Sequence, residues 1–259
     1  MKKTLIAIAL AAMMAPAWGA EVVSSNIVGY EKVTLAAGYN MIGVQFNQVG
    51  GEALPLATVG ILDSRMAGFD EDGNYATELM VWDGRGYGMY GWSGSSGTDV
   101  LDDDTFDNQW LDDQLEKTDE EMIRSSAAWI KAGSAGTITI AGEVPTEASI
   151  DVSIAVGYNM VANPYPGTKA VATFGILDAT VPGFDEDGNY AVEMLVWDGR
   201  GYASYGWAGS SGTDVLDDSS YDNQWLDDQL EKTDATIDFG HGVWIKSTAT
   251  GTMTFSAPQ

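Results

Sequence analysis

The sequence predicts an all-β protein made of two homologous halves, and three observations carry that expectation. The segments GILD, GFDEDGNYA, VWDGRGY, GSSGTDVLDD and DNQWLDDQLEKTD each occur twice. From Gly60 to Gly142 and from Gly175 to Ala257 the copies keep a constant register of 115 residues, in which Trp82 matches Trp197. That period is too long for a solenoid, whose repeats run about 20 to 50 residues, and suits a small domain. Within each copy apolar residues alternate over short stretches, and Gly, Asn and Asp punctuate them. The expected architecture is therefore two tandem small β-sandwich or partly open barrel domains with short helical turns.

The elements follow in order. Lys32 to Leu35, a turn at Ala36-Ala37-Gly38, and Asn40 to Val44 read as a first hairpin. Thr77 to Trp82, the turn Asp83-Gly84-Arg85-Gly86 and Tyr87 to Trp92 read as a second, and Ala128 to Lys131 with Thr137 to Ala141 as a third. The other half repeats the plan at Asp151 to Ile154 with Asn159 to Ala162, Val192 to Trp197 with Tyr202 to Trp207, and Val243 to Lys246 with Thr252 to Ser256. Short helical turns are expected around Leu54 to Leu62 and Ala170 to Leu177, and an amphipathic piece where Trp110, Leu111 and Leu115 would share a face. Pro145 interrupts pairing within Gly142 to Ser149, which places the boundary between residues 21–143 and 144–259 there. Ser24 to Tyr30 lacks a counterpart in the second half and is expected to add an edge strand or bridge the halves.

Residues 1–20 read as a signal peptide. Lys2 and Lys3 precede the apolar stretch Leu5 to Ala15, and small residues follow at Ala15, Ala17, Gly19 and Ala20. The apolar run is shorter than the roughly 20 residues of a membrane-spanning helix, so the expectation is export to the cell surface or medium, with the periplasm as another destination. The chain has no cysteine, so its stability rests on its cores rather than on disulfides. Removing the leader takes away two lysines and no acids and moves the formal charge from −26 to −28. Phosphate recognition requires a basic patch, so nucleic acid is excluded as a natural partner. A cation, a neutral glycan or another protein remains.

Gly157-Tyr158-Asn159-Met160-Val161-Ala162-Asn163-Pro164-Tyr165-Pro166 resembles the Gly-Trp-Asn-Leu-Ile-Gly-Asn-Pro-Tyr-Pro type of β module found in secreted and cell-surface proteins of Gram-negative bacteria. The Val-Trp-Asp-Gly strand and turn and the closing Trp-Ile-Lys strand, present in both copies, extend the resemblance over nearly the whole mature chain. In the first copy Val44-Gln45-Phe46-Asn47 replaces the Asn-Pro-Tyr-Pro segment. The resemblance implies an exported β domain and supplies no catalytic residue.

The inventory for catalysis is thin. His241 is the single histidine, set between two glycines and expected to be a solvated loop residue; no nucleophile elbow accompanies it. Carboxylates are abundant but sit in polar runs, whereas a catalytic acid needs apolar burial to raise its pKa, so a carboxylate-based hydrolase ranks third among the readings. Calcium is the cofactor to consider, because Asp70, Asp72 and Asn74, with Asp185, Asp187 and Asn189, place oxygen ligands at alternate residues. A plain hairpin turn at Asp72-Gly73-Asn74 is the favoured reading of the same residues, since they accept left-handed backbone angles readily. A second acidic region runs from Asp99 to Asp113 and from Asp214 to Asp228, where crowded like charges either bind cations or form solvated loops.

Aromatic residues offer the competing site. Trp82, Trp129, Trp197 and Trp244 lie among apolar neighbours and read as core. Tyr87, Tyr90, Trp92 and Trp110, with Tyr205, Trp207 and Trp225 in the second copy, are the candidates for a sugar-stacking surface, set against core or domain-interface packing. The first expectation is a non-enzymatic exported structural or interaction protein, with or without bound calcium; the alternative is carbohydrate binding through exposed Trp and Tyr.

Overall fold

The computed structural model describes residues 28–51, 53–69, 74–95, 104–185, 187–210 and 219–258. The expected leader lies outside them. The chain is all-β, 49% strand, with no helix of seven residues or more among the described residues and with small antiparallel sheets in a propeller-like ring.

The first half contains β1 (Val28–Leu35), β2 (Gly38–Gly43), β3 (Ala53–Pro55), β4 (Ile61–Leu62), β5 (Thr77–Trp82), β6 (Tyr87–Trp92), β7 (Trp110–Leu111), β8 (Glu121–Ile123), β9 (Ala127–Ala132) and β10 (Gly136–Glu143). The second half repeats it with β11 (Ser149–Ile154), β12 (Gly157–Ala162), β13 (Lys169–Ala170), β14 (Ile176–Leu177), β15 (Val192–Trp197), β16 (Tyr202–Trp207), β17 (Trp225–Leu226), β18 (Thr236–Ile237), β19 (Gly242–Ser247) and β20 (Gly251–Ser256). Each half carries a five-stranded sheet, ordered β2-β9-β5-β6-β7 or β12-β19-β15-β16-β17. A three-stranded sheet, β1-β10-β4 or β11-β20-β14, and a two-stranded ribbon complete it.

Only the middle hairpin of each half forms as the sequence predicts, with Trp82 opposite Tyr87 and Trp197 opposite Tyr202. The other predicted hairpins do not pair with themselves. β1 pairs with β10 while β2 pairs with β9, and β11 and β12 divide likewise between β20 and β19. The reason is burial. Val33 and Leu35 on β1 and Ile138 and Ile140 on β10 face Ile42, Leu79 and Ile130 from the five-stranded sheet across one apolar cluster. Consecutive strands that paired in one sheet could not enclose that core from two sides. The helical expectations reduce to single 3-10 turns at Leu56–Thr58 and Val171–Thr173. Trp110 and Leu111 form an edge strand rather than a helix. Residues 28–30 extend β1, the edge of its sheet, as expected.

Three apolar clusters hold the described residues. One lies in each half, and a third, built on Met41, Ala127, Trp129, Ala162 and Trp244, spans both. The halves meet along a seam with internal two-fold character. Ile42 bridges to His241, and in the reciprocal sense Val161 bridges to Ser126. Gly43 donates its N–H to the Gly240 carbonyl at 2.7 Å, and Ala162 donates to Ser125 at 2.7 Å. Gly43 leaves room there for its counterpart Ala162, since a Cβ on Gly43 would stand 2.5 Å from the Ala162 Cβ.

Candidate functional site: an aromatic seam

The five-stranded sheets turn one aromatic face toward the seam, because strand alternation sets Tyr39, Met41, Met80, Trp82 and Trp129 on the side opposite each half's own core. Trp129 packs edge-on against Trp197 at 5.4 Å between ring centroids, and Trp82 against Trp244 at 5.4 Å. Tyr39 lies 6.1 Å from Trp129 and Tyr158 5.8 Å from Trp244. Tyr87 and Tyr202 complete each group at 5.2 Å from Trp82 and Trp197. Edge-to-face contacts of this kind each contribute about 0.5–1.5 kcal/mol beyond area burial.

Polar atoms of these rings are used across the seam. The Trp82 indole N–H donates to the Tyr158 carbonyl at 2.9 Å, and Trp197 donates to the Tyr39 carbonyl at 3.1 Å. Burial holds the Tyr87 and Tyr202 phenols above their ordinary pKa, opposed by hydrogen bonds from Trp129 and Trp244 respectively. Both phenols therefore stay neutral near physiological pH. Lys131 pairs with Glu78 and Lys246 with Glu193, each at 2.7 Å, beside the strip.

Trp129 and Trp244 are 6% and 7% exposed, while Tyr39, Tyr87, Tyr158 and Tyr202 retain 52%, 44%, 49% and 46%. The result is a buried indole floor with four half-exposed phenol rims. A depression of about 320 Å³ opens among Tyr39, Met80, Tyr87, Trp129, Trp197 and Tyr202. Flat apolar faces with hydroxyl tips can stack on a ring and bond its hydroxyls.

The site differs from the surface that sequence reasoning selected. Trp92, Trp110, Trp207 and Trp225 are all buried, with Trp92 against Trp110 at 5.1 Å and Trp207 against Trp225 at 5.3 Å. Tyr90 and Tyr205 are half-buried against the same two cores. These six residues fill the halves. Trp82, Trp129, Trp197 and Trp244, expected inside the halves, instead join them. Alternation in β5 and β9 made them apolar-facing without saying which of two apolar faces they occupied. Only Tyr87, of the residues expected at a surface, belongs to the seam, and Tyr39 and Tyr158 went unselected; the signal available for them was their place in the repeated Gly-Tyr-Asn-Met segment.

The oxygen-rich segments take turn geometry where they are described. Asp185 accepts the N–H groups of Asp187 at 3.0 Å and Asn189 at 2.8 Å and the Asn189 side-chain amide, which together hold its carboxyl below the usual carboxylate range. Of the three alternating residues, Asp185 is the one whose oxygens accept the turn's own donors. Asp70 and Asp72 lie outside the described residues, as do Asp99, Asp102, Asp103, Asp214, Asp217 and Asp218. Asp112 accepts from Gln114 and Glu116 at 2.9 Å, and Asp227 from Gln229 and Glu231 at 2.9 Å. Those contacts support the left-handed Leu115 and Leu230. Among the described residues no group of three or more His, Cys, Asp or Glu is placed to hold a metal ion. His241 is not a solvated loop residue: it is half-buried at the seam, its pKa lowered by burial against the opposing pull of Asp238.

No protein-family model, curated protein or solved structure matches the chain.

Proposed function

We propose that this chain is an exported, non-enzymatic binding protein in which each half is a small β-sandwich, and that the aromatic seam is its contact surface for a neutral glycan. The carrying observation is the set of four tyrosines, each about half exposed, rimming a rigid indole floor at the junction. Rigid rings lose little conformational freedom on binding. A formal charge of −26 disfavours anionic ligands and leaves a neutral polymer acceptable. Export rests on the N-terminal pattern; no helix among the described residues is long and apolar enough to cross a membrane.

Intrinsic tryptophan fluorescence titrated with neutral β-linked oligosaccharides tests the reading. A saturable change is expected, and the double change Tyr87→Ala with Tyr202→Ala weakens binding by about tenfold or more. No response across β-glucan, xylan and chitin fragments would leave the seam as a structural joint and return the protein to a purely structural role.

A further inference from the structure

The two ends of the seam are related by the internal two-fold but differ in chemistry. One cleft, of about 540 Å³, is lined by Tyr39, Asn40, Trp197, Asp198, Asp238 and His241. Its counterpart, of about 250 Å³, has Tyr158, Asn159 and Trp82 at equivalent places but Ile123 and Ser126 where the first has Asp238 and His241. The aromatic walls are copied, and so is Asp198, whose counterpart Asp83 accepts the same turn N–H groups; Asp238 and His241 are not.

A third difference falls at the same end. Glu31 on β1 occupies the place of Ile150 on β11. Its side chain is 2% exposed, neither carboxyl oxygen has a hydrogen-bond partner, and it packs so closely on Gly240 that a Cβ there would collide with its Oε1. A buried polar group without a partner costs about 1–3 kcal/mol, and Ile150 shows that the same strand position accepts an apolar residue. Glu31, Asp238 and His241 thus gather beside one cleft at a cost the fold does not require, opposite Ile150, Ile123 and Ser126 at the other.

The chemistry of the larger cleft suits a cation on a ring. The backbone N–H groups of Gly201 and Arg200, each at 2.8 Å, hold the Asp198 carboxyl below the usual range. Arg200 is the opposing positive charge on that turn. Asp238 presents a second, exposed carboxylate. Burial holds His241 low, so near neutral pH its imidazole is uncharged and can accept a hydrogen bond. Tyr39 and Trp197 add the aromatic faces that attract ammonium groups.

We infer that the His241 cleft is a binding site for a protonated amine carried on a sugar ring, so that the seam prefers an amino-sugar unit at this end over its neutral equivalent. This rests on the glycan reading above. The full mature chain is titrated at about pH 6.5 and fixed ionic strength with β-1,4-linked tetramers of glucosamine, N-acetylglucosamine and glucose. The glucosamine tetramer is expected to bind about tenfold more tightly than the other two, as one charge-assisted hydrogen bond allows. The double variant Asp238→Ile with His241→Ser carries the residues that the first half already holds at these places. It should lose that preference, its affinities for the three tetramers converging. Equal affinity for all three tetramers, or a preference that survives in the variant, overturns the inference and leaves the glycan reading standing. Failure of all three to bind overturns the glycan reading and the inference together.

Discussion

At the scale of single residues, Glu31 has the clearest energetic signature. Burial among apolar neighbours pushes its carboxyl up from the ordinary 4.5 to about 8. A carboxyl with a raised folded-state pKa keeps a proton that the unfolded chain releases. Its contribution to stability is therefore fully present below about pH 4.5 and is lost as pH rises toward about 8. Urea unfolding from pH 5 to pH 9 should show this slope for the natural protein and a flatter one for Glu31→Gln. The Glu31→Ile variant, which copies Ile150, should be more stable by roughly 1–3 kcal/mol at the alkaline end. A variant whose pH profile parallels that of the natural protein would place the proton elsewhere.

At the scale of elements, β7 and β17 give a matched pair. Trp225 on β17 donates its indole N–H to the Phe174 carbonyl at 2.8 Å, with Gly175 at 3.3 Å as a second acceptor. Trp110 on β7 is equally buried, yet its indole nitrogen has no partner. The backbone explains the difference, since Gly175 takes a left-handed φ of 62° and Gly60 does not. Replacing either tryptophan by Phe removes ring volume, but only Trp225→Phe also breaks a buried hydrogen bond. Chemical denaturation should find Trp225→Phe more damaging than Trp110→Phe by about 1 kcal/mol. The acidic turns belong to this scale too. The repeated Asp-Glu-Asp-Gly-Asn pattern favoured a turn over an ion loop, because Asp, Gly and Asn take left-handed backbone angles readily; the backbone amides that decide how Asp185 is used become neighbours only when the loop closes.

For the whole molecule, the seam decides whether the halves behave separately. Trp129 and Trp244 are almost wholly buried between them, and backbone hydrogen bonds cross in both directions. Calorimetry of the full mature chain is expected to give one cooperative transition. Trp244→Ala should cost about 3–5 kcal/mol, the usual loss for a buried tryptophan, and lower the midpoint for both halves rather than one. Two separated transitions in the natural protein would show that the seam is too weak to couple them.

The sequence by itself determined the duplication, the all-β class, the middle hairpin of each half and the positions of most strands, because these depend on identity, alternation and turn residues within a few positions of one another. It did not determine which strands share a sheet. β1 and β2 look like a hairpin locally, and only the need to enclose Val33, Leu35, Ile42 and Ile130 in one core sends them to different sheets. It did not place Trp92 and Trp129 either: Trp129 read as core of a half and Trp92 as a candidate surface residue, because alternation does not say which apolar face a strand tryptophan occupies. Tertiary structure alone decided that Trp92 fills a half while Trp129 joins two, and that His241 leaves its glycine-flanked loop for the seam. Those outcomes depend on which surface of each sheet meets the other copy, a contact between residues far apart in the chain, such as Trp129 with Trp197 and Ile42 with His241, that no local pattern encodes.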